Sequence, residues 1–135
     1  MKTILVIEDT EDDVFFLLRA LKAADIPNPV QVAADGQQAL DYLSGTGVYA
    51  DRAAYPLPFL VLLDLKLPYV MGLDVLKWIR ARREFNGIIV AVLTSSQQDR
   101  DITETTRLGG NFYFVKPPSK QKLIELMRGL AENWG

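Results

Sequence analysis

The chain contains no cysteine and no histidine. The first absence excludes disulfides, thiolate metal sites and cysteine nucleophiles, and it fits a reducing compartment. The second excludes imidazole catalysis, zinc–imidazole sites and a phosphohistidine on this chain. Long apolar runs are missing too, since no stretch approaches the ~20 residues of a membrane span. There is no basic surplus: 15 Lys and Arg face 17 Asp and Glu, which argues against direct nucleic-acid binding. The opening "MKTILVIEDTEDD" turns acidic directly after Ile4 to Ile7, too early for a signal peptide. A soluble, cytoplasmic protein with no membrane partner is expected. Its 135 residues suit one domain, whose core can bury about two-thirds of the unfolded surface.

Five short apolar runs are present: 4–7, 30–34, 59–63, 88–93 and 112–115. Four of them are apolar on successive residues rather than alternating, the pattern of strands covered on both faces in a parallel sheet. Helical periodicity lies between and after them. Val14, Leu17, Leu18 and Leu21 share one stripe, as do Ala39, Leu40 and Leu43, and Val75, Leu76 and Ile79. The fourth helix is weak, with Ile102 and Leu108 its only strong apolar residues. In the fifth, Leu123, Leu126, Met127, Leu130, Ala131 and Trp134 align behind Ser119 as N-cap. Strict alternation predicts a doubly wound α/β fold: a five-stranded parallel sheet with five helices. The long segment 44–58 reads as a surface loop.

Ligands of such sheets collect at the carboxyl ends of the strands. Glu8 and Asp9 follow the first strand, Asp64 the third, Thr94, Ser95 and Ser96 the fourth, and Lys116 the fifth. Asp35 and Gly36, after the second, look like a turn and helix start. Clustered carboxylates repel one another. A hard divalent cation such as Mg²⁺ relieves that repulsion and leaves room for a phosphoryl oxygen. A lysine balances the remaining charge and a hydroxyl can donate to phosphate. These are the parts needed to move a phosphoryl group onto a carboxylate.

In this order and at these strand ends, "ILVIEDTEDD", "FLVLLDLKLPYVMGLDVLKWIR", "VAVLTSS" and "LGGNFYFVKPP" resemble the receiver domain of two-component response regulators. The resemblance covers essentially the whole chain and implies the flavodoxin-like (βα)5 fold of receivers. The chain looks most like stand-alone receivers that partner bacterial phytochrome kinases, one domain over 1–135 with no output domain. The resemblance implies that Asp64 accepts a phosphoryl group from a histidine kinase. It implies that Asp9, Glu8, Asp64 and the backbone carbonyl of Lys66 hold Mg²⁺ or Mn²⁺. Thr94 becomes the hydroxyl that moves onto the phosphoryl group, Ser95 lines its pocket, Tyr113 is the aromatic switch, and Lys116 is the charge-balancing lysine ahead of a cis bond to Pro117. Pro68 and Gly72 match the loop after the acceptor. Output is expected through protein–protein contact, including a homodimer through the face of the fourth helix, fifth strand and fifth helix.

Other readings stand beside these. Glu11, Asp12 and Asp13 read as solvated acids at a helix start, with Asp12 or Asp13 as its cap. Thr94 could serve only its loop backbone, and Ser96 reads as a turn residue. Tyr69 and Val70 add exposed bulk, and Gly109 and Gly110 loosen the approach to the fifth strand. A pseudo-receiver that binds partners without phosphorylation is one alternative. An aspartate-nucleophile phosphatase is a lesser one, because Lys66 stands where such enzymes carry their second acid.

Overall fold

The computed structural model describes residues 2–116 and 118–134, except the side chains of 131–134. Its elements alternate as β1 (Thr3–Ile7), α1 (Glu11–Ala23), β2 (Val30–Ala33), α2 (Gly36–Ser44), β3 (Pro58–Leu63), α3 (Gly72–Arg80), β4 (Ile89–Thr94), α4 (Asp99–Arg107), β5 (Phe112–Val115) and α5 (Lys120–Trp134). All strands are parallel, in the order β2-β1-β3-β4-β5. The chain therefore winds outward from β1 to β2 and then returns to β3. The crevice between the carboxyl ends of β1 and β3 is the switch point of the sheet, where ligands bind in open α/β folds.

The central strands are buried on both faces, as their unbroken apolar runs predict. Alternate residues serve alternate sides. Leu5, Ile7, Val61, Leu63, Val90 and Val92 meet Ala39, Tyr42, Leu43, Val75, Leu76 and Ile79 of α2 and α3. Ile4, Val6, Leu60, Leu62, Ala91 and Leu93 meet Leu17 and Leu21 of α1 and Leu123, Leu126 and Leu130 of α5. Of the two edge strands, β5 departs from expectation. Val32 in β2 and Phe112 in β5 are exposed, because each of these strands has one neighbour and incomplete helix cover.

The buried faces of α1 and α4 differ from the stripes expected of them. Leu17 and Leu21 are buried, but Leu18 is exposed and Val14 only half-buried. Leu18 lies one residue, or about 100°, past Leu17 and so turns off the contact line. In α4 the sole buried residue is Thr105, whereas Ile102 is exposed and Leu108 half-buried. Asp35 caps α2 by accepting from the Gln38 amide at 2.8 Å, and Ser119 caps α5 by accepting from the Lys122 amide at 3.1 Å. Helix α1 instead has Thr10 at its N-cap, with no side-chain cap bond, which corrects the assignment to Asp12 or Asp13. The side chains of Ala131 and Trp134, and the Lys116–Pro117 bond, lie outside the described residues.

Segment 44–58 is more than a loose loop. Tyr42, Tyr49 and Tyr55 pack as a triad, with Tyr49 and Tyr55 5.0 Å apart. Arg52 donates to the carbonyls of Tyr42 at 2.7 Å and Leu43 at 2.8 Å, closing the carboxyl end of α2.

Candidate functional site

Asp64 leaves β3 with its amide donating to the Ile7 carbonyl at 3.0 Å. This bond extends the β1–β3 pairing by one residue and sets the carboxylate beside Glu8 and Asp9. Its Oδ1 accepts from the Lys66 amide at 3.2 Å and its Oδ2 from Lys116 Nζ at 3.0 Å. The loop beyond is drawn in tightly. Gly72 N donates to the Leu65 carbonyl at 3.0 Å, and a Cβ on Gly72 would lie 2.3 Å from the carbonyl oxygen of Asp64. Only glycine allows α3 to start this close to Asp64. Val70 is not exposed bulk: it is half-buried over Gly36, where a Cβ would stand 2.5 Å from the Val70 carbonyl oxygen. Tyr69 is 91% exposed.

Glu8 and Asp64 are buried, and Asp9 is exposed. One oxygen from each lies within 4.8 Å of the others. Lys116 answers this charge: its ammonium donates to Glu8 and Asp64 and, at 3.0 Å, to Asp13. Burial pushes the Glu8 carboxyl up to about 7, against the pull of Lys116 and of the Thr10 amide. Burial alone would lower the Lys116 ammonium, but its bonds to Glu8, Asp13 and Asp64 outweigh that and hold it above the usual lysine range. Glu8, Asp9, Asp13, Asp64, Lys66, Ser95 and Lys116 line one cleft of about 590 Å³. The three clustered carboxylates offer hard oxygen donors, which suit a divalent cation of the Mg²⁺ type.

Two residues expected at the site lie beside the cleft rather than on its wall. Thr94 is fully buried, and its Oγ1 accepts a long bond, 3.4 Å, from the Ser96 amide. Tyr113 is half-buried and donates its hydroxyl to the Ser96 carbonyl at 2.8 Å. Burial raises the Tyr113 hydroxyl above its ordinary value. Ser95 lines the cleft.

Two features escaped the sequence reading. Ser96 is no simple turn residue. It is buried, its hydroxyl donates to Asp101 in the first turn of α4, and its backbone meets both Thr94 and Tyr113. Asp13 is not a free solvated acid, since it bonds Lys116. The glycines before β5 are tight rather than loose. A Cβ on Gly110 would lie 2.5 Å from Thr105 Cγ2, and Arg80 Nε donates to the Gly109 carbonyl at 2.9 Å.

The chain is similar to proteins of known family. The family model described as "Response regulator receiver domain" matches residues 4–128. The chain is 32% identical over 133 residues to response regulator Rcp1 of Synechocystis, covering 98% of this chain and 88% of that protein. A structure of the Mn²⁺-bound form of response regulator Rcp1 superposes with a TM-score of 0.79 at 31% identity, covering 99% of this chain and 94% of that one. The bacteriophytochrome response regulator AtBRR gives 0.85 at 39% identity, covering 100% and 96%. The phosphorylated cyanobacterial phytochrome response regulator RcpA gives 0.81 at 33% identity, covering 98% and 93%.

Proposed function

The chain belongs to the response regulator receiver family, and from that premise we propose that Asp64 takes a phosphoryl group from a phosphohistidine of a histidine kinase. The observation that carries this reading is the Lys116 ammonium, bonded to Asp64 inside a cleft that also presents Glu8 and Asp9. A carboxylate oxygen of Asp64 attacks phosphorus, a P–O bond forms and the P–N bond breaks. The imidazole nitrogen leaves with the electron pair and takes a proton. Lys116 then offers an N–H to the phosphoryl oxygens, and Ser95 lines their pocket. Glu8, Asp9, Asp64 and the Lys66 carbonyl would hold Mg²⁺, which neutralises phosphoryl charge when bound. The structures of a phosphorylated and of a Mn²⁺-bound relative support both parts.

The response to phosphorylation runs through Thr94, Ser96 and Tyr113. Their contacts reach α4 through Asp101, so a shift of Thr94 toward the phosphoryl group alters the α4–β5–α5 face. Output is by protein–protein contact there, including self-association. The phytochrome-associated relatives favour a kinase of that type. The cytoplasm is the proposed compartment, and among the described residues no helix is long and apolar enough to cross a membrane.

The test is intact mass after incubation with Mg²⁺ and an acyl phosphate. The native chain gains one phosphoryl group and Asp64→Asn gains none. A native chain that gains nothing, even from a phosphorylated histidine kinase, would leave a constitutive binding module.

A further inference from the structure

Lys116 has three N–H donors, and three different carboxylates take them: Glu8 after β1, Asp13 in α1 and Asp64 after β3. Two of these belong to the group of acids placed to hold a cation, and Asp13 does not. Asp64 is also the residue whose carboxylate is to be phosphorylated. Each of the two therefore has a second task that draws it away from the ammonium. Asp13 has none, and it projects from a helix pinned to the sheet by Leu17 and Leu21. It lines the same cleft as Asp64 and Ser95.

We infer that Asp13 is a positioning residue for phosphoryl transfer, holding the Lys116 ammonium over the acceptor once Glu8 and Asp64 are engaged elsewhere. This rests on the reading of Asp64 as acceptor. Before transfer, Asp13 shares Lys116 with the other two acids. When a phosphoryl group reaches Asp64, one N–H turns to a phosphoryl oxygen, and the Asp13 bond keeps the long, flexible lysine stem from swinging out to water. Losing a positioned cation of this kind slows transfer.

The competing explanation is the helix start itself. Glu11, Asp12 and Asp13 all lie in the first turn of α1, where any acid is favoured by the helix dipole. Asp12 separates the two, being an exposed acid in the same turn. Native chain, Asp13→Ala, Asp12→Ala and Asp13→Glu are compared at saturating Mg²⁺ with an acyl phosphate as donor. The rate of mass gain and the melting temperature are followed together. Asp13→Ala is expected to slow phosphorylation about tenfold, Asp12→Ala to stay within about twofold, and Asp13→Glu to recover most of the rate. Equal slowing in both alanine variants, or an Asp13→Ala rate within twofold of native, overturns the inference. Failure of Asp13→Glu to recover while it melts like the native chain does so as well. A native chain that gains no mass sinks the acceptor reading itself, a result separable from the others because it appears before any variant is compared.

Discussion

Helices α3 and α4 have the same length, nine residues, and each follows a strand that ends at the site. They are held in opposite ways. Helix α3 buries Gly72, Val75, Leu76 and Ile79, whereas α4 buries Thr105 alone. What holds α4 is polar: Ser96 to Asp101 near its start, and Arg80 to the Gly109 carbonyl just past its end. Apolar burial has no substitute in water, so it fixes an element. A hydrogen bond exchanges one partner for another at a net cost of about 1 kcal/mol. The strand that ends at Asp64 thus feeds a helix that stays, and the Thr94 strand feeds one that can be re-bonded.

The sharpest test compares the isoleucine that each helix carries. Ile79→Ala should cost about 2–5 kcal/mol of stability, and Ile102→Ala no more than about 0.5 kcal/mol, both by denaturant unfolding. Similar losses would erase the difference between the helices.

The firm side also carries a pH response through Glu8, whose folded-state pKa of about 7 stands above its ordinary 4.5 because of burial. The folded chain binds this proton more tightly than the unfolded chain. The resulting stability is therefore full below pH 4.5 and is lost as pH rises through about 7. Without divalent ions, the native chain should lose on the order of 2 kcal/mol over that window relative to Glu8→Gln. Parallel pH curves for the two would refute the shift.

The smallest effect belongs to Thr105. Its Oγ1 is buried without a partner among the described residues. Thr105→Val removes that unpaired hydroxyl at nearly constant shape and should raise stability by about 1 kcal/mol, or roughly 3 °C in Tm. A fall in Tm would mean that α4 needs the hydroxyl and is less loosely held than its burial indicates.

The comparison also marks where sequence could be read. Strands β1, β3 and β4, the acids that follow β1 and β3 and the lysine that follows β5 were legible because burial on both faces and strand-end position are local patterns. The stripe of α3 was legible for the same reason. Helix α4 existed in the pattern, but its inward residue did not, because Thr105 is buried by the close approach of Gly110 rather than by its own hydrophobicity. The edge strand β5 looked central, since apolar content does not reveal how many neighbours a strand will have. Asp13 and Lys116 stand 103 residues apart. Their contact depends on how α1 is rotated over the sheet, and a one-residue change in that rotation moves the carboxylate away. Ser96 hid for a similar reason: a serine after a strand is ordinary, and only the path of the chain brings Asp101 and Tyr113 to it.

Arg80 gives α4 the geometry of a lever. Its guanidinium bonds the carbonyls of Gly109, Phe85 and Ile88 and the Asn111 side chain, so the far end of α4 is clamped to α3 and to the start of β4. The free arm from that fulcrum to Asp99 is about 12 Å long. A tilt of about 10° moves its tip by about 2 Å, enough to carry Asp101 out of hydrogen-bond range of Ser96 while the contacts at the fulcrum barely change. A displacement no larger than one bond length at the strand end, applied through Ser96 to Asp101 near the free tip, would swing α4 about its clamped end, in the direction set by where the clamp sits.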